Sequence, residues 1–164
     1  MNASDKRKPI SAILNITFIG LGLVALVLLF VFKGSLNTVV TKTIKAQAGE
    51  ELQNHVAMYV DSAFNYRQNG EGFRITFLEF GAKGCSACKM MEKEMEKVKN
   101  NHPDEVRVTF VNVLMPAGQD LMKYYGIASI PTQVLLDDAG HEVFRHTGYF
   151  SSDDLDKEFL KINP

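Results

Sequence analysis

Tryptophan is absent from this 164-residue chain, and cysteine occurs only twice. Charge of neither sign dominates: 18 Lys and Arg stand against 19 Asp and Glu, a formal net charge of −1. Without a basic excess the chain carries no electrostatic footprint for nucleic acid, and bulk charge does not choose its partners. Two cysteines cannot build a disulfide-dense secreted scaffold. Nor do they complete a four-ligand zinc site, because His141 and His146 follow at about fifty residues' distance, far from zinc-finger spacing. A c-type haem attachment needs His directly after the second Cys, where this chain has Lys89. No internal repeat or low-complexity tract appears. The length suits one domain with an appendage.

The appendage comes first. Residues 10–32 run without a charged side chain, with Ser11, Asn15 and Thr17 as the only clearly polar members. At about 1.5 Å per residue, such a helix spans a hydrocarbon core of about 30 Å. The expected organisation is a short basic tail over 1–9, an uncleaved transmembrane anchor over 10–32, a Thr-rich linker over 33–48 and a folded domain over 49–164. Ala46-Gln47-Ala48 resembles a cleavage site but lies too far past the apolar run. Lys6-Arg7-Lys8 is tighter than the basic residues after the span. That favours an inside N-terminus and a domain outside the cytoplasm, where disulfides persist.

Within the domain, Leu52, Val56, Tyr59, Val60, Ala63 and Phe64 recur at helical spacing. A strand is expected over 73–80, and a second over 106–114, apolar enough to be covered on both faces. Between them lies a helix whose seam is Cys88, Met91, Met95 and Val98, with His102 expected as a solvated residue at its end. A short helix over 119–125 precedes an antiparallel pair over 133–136 and 142–146, bracketed by exposed His141 and His146. Ser151 and Asp154 have capping-box spacing before a last helix. The domain is therefore α/β. A strand–helix–strand unit implies parallel pairing, and the late hairpin adds an antiparallel edge.

The chemistry gathers at Glu79-Phe80-Gly81-Ala82-Lys83-Gly84-Cys85-Ser86-Ala87-Cys88. Cysteines three apart at a helix start face the same side and close a small ring. Unsatisfied N–H groups and the helix dipole favour thiolate there, helped by Lys83 and Lys89. Cys85 is expected to attack and Cys88, deeper in the helix, to resolve. Glu79 sits inside an apolar run, either as a strand-edge residue touching water or as a desolvated acid that exchanges a proton with Cys88. Two other readings stay open: a soft-metal (copper) chaperone, and a structural disulfide, although so short a loop stabilises little.

Over about residues 50–163 the chain resembles the thioredoxin family. The Glu79–Lys89 segment is similar to that family's strand, loop and active-site helix. Tyr125-Gly126-Ile127-Ala128-Ser129-Ile130-Pro131-Thr132 is similar to its cis-proline loop, and Gly148 to the glycine after its hairpin. The resemblance implies a thioredoxin-like fold, a central mixed sheet flanked by helices, preceded here by one transmembrane helix. It implies a thiol–disulfide oxidoreductase without a cofactor. Cys85 and Cys88 would form the redox couple, Glu79 would move the proton, and Pro131 would be cis. Gly84, Ile130 and Thr132 would meet the substrate, with the Ile130 backbone pairing to it. Gly84 replaces the family's common Trp, Ser86-Ala87 its Gly-Pro, and Phe110 stands near its frequent Lys. The anchor resembles those of membrane-tethered bacterial relatives. Expected partners are disulfide-bearing exported proteins such as apocytochrome c, a membrane electron donor and the bilayer. The expected direction is reductive. The alternative is a thioredoxin-fold binding module without turnover.

Overall fold

The computed structural model describes the backbone over residues 8–31 and 33–162, and side-chain surroundings over 15–28 and 39–162. The chain divides into two compact units, Met1–Val39 and Val40–Pro164. The first is built on helix α1 (Lys8–Val31), a Leu- and Val-rich run with no interior proline. Its described side chains, among them Ile16, Phe18, Leu21 and Leu26, are exposed. Among the described residues no helix is long and apolar enough to cross a membrane. Part of the expected span over 10–32 lies outside those residues. The stretch expected as a linker is helical as α2 (Lys33–Gln47). The end of α2 belongs to the second unit: any side chain at Gly126 would collide with Thr41 and Lys45.

The second unit continues with α3 (Glu50–Phe64) and the single turn α4 (Tyr66–Asn69), closed by Gly70 at φ 76°. Then follow β1 (Ile75–Gly81), α5 (Ser86–Asn101), β2 (Val106–Asn112) and α6 (Pro116–Tyr125). The chain ends with β3 (Thr132–Leu136), β4 (Glu142–Thr147) and α7 (Ser152–Ile162). The sheet order is β2-β1-β3-β4. β1 pairs parallel with β2 and antiparallel with β3, and β3 pairs antiparallel with β4. This is the mixed α/β sheet expected.

Every residue of β1 is buried because both its faces are covered. Alternation sends Ile75 and Phe77 to a core shared with Met91, Met95 and Val98 of α5 and Leu155 and Phe159 of α7. Leu78 and Phe80 enter the opposite core, with Val56, Val60 and Phe64 of α3. Ser151 caps α7 as its spacing indicates, its Oγ accepting from the Asp154 N–H at 3.2 Å.

Four expectations change. β1 starts at Ile75, two residues late. β2 lies at a sheet edge and is not enclosed on both faces: Val108 and Thr109 are half-buried and Phe110 is 39% exposed. His102 is not simply solvated. Its Nε2 lies 3.0 Å from Asp156 and its Nδ1 3.5 Å from Glu105, and its ring packs edge-on against Phe159. His141 is exposed as expected, whereas His146 is half-buried and stacks on Phe150.

Candidate active site

The loop after β1 turns through Gly84 at φ 90°, a left-handed conformation that glycine adopts without steric cost. It delivers Cys85 to the N-cap of α5, where Sγ accepts the Cys88 N–H at 3.1 Å. Cys85 and Cys88 form a disulfide with Cα atoms 5.2 Å apart. Their surroundings differ. Cys85 is half-buried beside exposed Lys83 and Gly84, whereas Cys88 is 2% exposed. The helix accounts for this, since Cys88 lies on the seam that carries Met91 and Met95 into the core.

Gly81 ends β1 directly beneath the disulfide. A Cβ there would lie 3.4 Å from the Cys88 Cβ and would strike the Phe110 ring. Glu79 stands two residues earlier, so it shares the face of β1 that meets Cys88. Its side chain is fully buried, which removes the water-contacting alternative. Its register partners are Phe110 on β2 and Gln133 on β3. Gln133 Nε2 donates to Glu79 Oε2 at 3.0 Å. Burial pushes the Glu79 carboxyl up to about 8, and the Gln133 hydrogen bond pulls back only part of that rise. Phe110 supplies no charge where the resemblance pointed to a lysine.

The Ile130–Pro131 bond is cis. Thr132 opposes Phe80, so the register sets this loop opposite the end of β1 from which the cysteine loop departs. Thr132 Oγ1 donates to the Ser129 carbonyl at 2.8 Å and lies 3.1 Å from Thr147 Oγ1, so it braces the loop from within. The Gly148 N–H donates to the Pro131 carbonyl at 2.9 Å. Ile130 is half-buried and Gly84 exposed.

Two residues escaped the sequence reading. Gln133 is completely buried; its signal was a lone amide in an otherwise apolar strand. Glu94 is also buried, on the face of α5 that carries Met91 and Met95. Burial pushes its carboxyl up. Hydrogen bonds from the Ser152 N–H, Lys97 and Tyr149 together outweigh that and hold it at about 2. Ser86, Lys89, Met90, Lys93, Glu94 and Tyr149 line a shallow groove along α5.

A family profile described as a thioredoxin-like domain matches residues 61–163. The chain belongs to the thioredoxin-like domain family. Thioredoxin-2 of the malaria parasite, a component of its protein secretion machinery, is 27% identical. That match covers 54% of this chain and 82% of that one, at a TM-score of 0.50. Thioredoxin NaTrxh from Nicotiana alata is 26% identical over 68% of this chain and 87% of that one, at a TM-score of 0.51. The exposed lipoprotein thioredoxin Etrx1 of Streptococcus pneumoniae is 20% identical over 57% and 88%, at a TM-score of 0.51, a likeness of fold alone. No curated protein matches the chain. The thioredoxin-like domain thus carries a cysteine pair suited to thiol–disulfide exchange.

Proposed function

We propose that this protein is a membrane-anchored thiol–disulfide oxidoreductase that reduces protein disulfides outside the cytoplasm. The observation that carries the chemical part is the asymmetric pair: Cys85 reachable at a helix N-cap, Cys88 buried over the face of β1 that carries the buried Glu79. In the reduced protein the Cys85 thiolate attacks one sulfur of a substrate disulfide. A mixed disulfide forms, and the other substrate sulfur leaves as a thiolate that takes up a proton. Glu79, ionised for this step, takes the Cys88 proton. The Cys88 thiolate attacks Cys85 Sγ, the second substrate sulfur leaves and is protonated, and Cys85–Cys88 is oxidised by two electrons. The exposed backbone of Gly84 and the Ile130–Pro131–Thr132 loop would hold the client strand.

The uncharged run over 10–32 supports anchoring in a cell membrane, and the tight Lys6-Arg7-Lys8 cluster supports a domain on the periplasmic or outer side. A membrane electron donor would then restore the dithiol, and exported proteins such as apocytochrome c would be clients.

Cys88→Ser tests the chemistry. The variant should accumulate mixed disulfides through Cys85, released by dithiothreitol and visible on non-reducing gels. A protein that keeps its partners unchanged after both cysteines are replaced would instead be a binding module, and a soft-metal chaperone would hold one Cu(I) per chain that is lost without the thiols.

A further inference from the structure

The Gln133 amide joins the buried acid to the client loop. Its Nε2 donates to Glu79 Oε2 at 3.0 Å and to the Gly148 carbonyl at 3.1 Å. A carbonyl can only accept, so the amide atom facing Gly148 is the nitrogen, and both amide hydrogens are committed. Glu79 Oε2 is therefore held as an acceptor. Glu79 Oε1 and Gln133 Oε1 are both buried without a hydrogen-bond partner. A neutral carboxyl carries its hydrogen on one oxygen. With Oε2 facing an N–H, that hydrogen belongs on Oε1.

No cation competes for this role among the described residues. From α5, Cys88 is tied in the disulfide, and Glu94 is engaged by Lys97, Tyr149 and Ser152. From β2 the register partner is Phe110, while Arg107 binds Glu71 and lies over the Phe64 ring of the opposite core. From β4 the residue in line is His146, across from Gln133 and stacked on Phe150. The only cause opposing the effect of burial on Glu79 is the Gln133 hydrogen bond.

We propose that Gln133 is a positioning residue for thiol–disulfide exchange, holding Glu79 so that the transferable proton resides on the oxygen with no protein partner. The same amide ties the carboxyl to Gly148, whose N–H holds the Pro131 carbonyl. Proton transfer at Glu79 and seating of the client strand thus share one rigid amide. The inference rests on the proposed function in assigning the Glu79 proton to Cys88.

Infrared titration of the full chain tests it. The protonated-carboxyl band of Glu79 is assigned by its loss in Glu79→Gln. In the parent it should titrate near pH 8, at the lowered frequency of a carbonyl that accepts a hydrogen bond. Gln133→Met removes the donor that favours the ionised form, so proton affinity should rise about tenfold. The pH profile of mixed-disulfide resolution should move with it. A merely structural Gln133 would lower stability and leave the carboxyl midpoint in place. An unmoved midpoint in Gln133→Met overturns the proposal. So does a parent band at the frequency of a free carbonyl, which needs no variant to fold. Lack of disulfide reduction by the parent would end the functional reading and leave the infrared result standing.

Discussion

Glu79 works against the fold in which it sits. Its carboxyl ionises near 4.5 in a solvated chain and near 8 in the folded protein. Between these values the folded state binds the extra proton, so stability falls as pH rises. Glu79→Gln removes this dependence. Measured by urea unfolding, its stability relative to the parent should improve by about 3 kcal/mol between pH 4 and pH 7. Resolution of mixed disulfides should slow in the same variant. A stability difference that stays flat across this range would show that Glu79 is solvated. The presence of an acid here was legible, because a lone carboxylate interrupts the apolar Phe77-Leu78-Glu79-Phe80 run. Its partner was not, because pairing Glu79 with Gln133 depends on strand register, which local pattern does not supply. The cysteine pair was fully legible, since helix-start chemistry is local.

At the scale of elements, Glu94 forms the joint between α5 and α7. It accepts the first N–H of α7 from Ser152 at 2.9 Å, and Tyr149 and Lys97 also donate to it. Its folded carboxyl titrates near 2 against an ordinary 4.5. The stability it contributes is therefore complete above about pH 4.5 and is lost as pH falls toward 2. Allowing for partial solvent screening, Glu94→Gln should cost about 2 kcal/mol at neutral pH and almost nothing near pH 2. Denaturant curves at the two pH values check this. Helical spacing puts Glu94 three residues after Met91 and four before Val98, beside the apolar seam, but names no partner for its charge. What buries it is the loop after β4 folding over α5, a contact between residues about 55 positions apart in sequence. For β2 the error ran the other way. An apolar strand looked enclosed, but sheet order puts it at an edge, so Phe110 keeps solvent contact and still reaches Gly81.

At the scale of the whole molecule, the strand–helix–strand order and the final hairpin were legible because each element carries its own periodicity and caps. The extent of the folded unit was less so. Polar, Thr-rich composition reads as linker, yet α2 is helical and its end meets Gly126, whose φ of 65° and tight surroundings leave no room for a side chain. The proposed anchor gives a test on the intact chain. The protein should stay with membranes through alkaline carbonate extraction. The double variant Val24→Arg and Leu26→Arg should be released, because two charges at bilayer depth are costly. Retention of the charged variant would end the anchor proposal.

The missing tryptophan has an optical consequence. Emission from this protein comes from five tyrosines with no indole to mask them. Tyr66 and Tyr125 are enclosed, whereas Tyr149 lines the groove along α5, its hydroxyl held 3.1 Å from Glu94. A polypeptide seated in that groove would disturb this fluorophore and the hydrogen bond from its hydroxyl to Glu94. The molecule carries a built-in reporter of that face, readable in unlabelled protein.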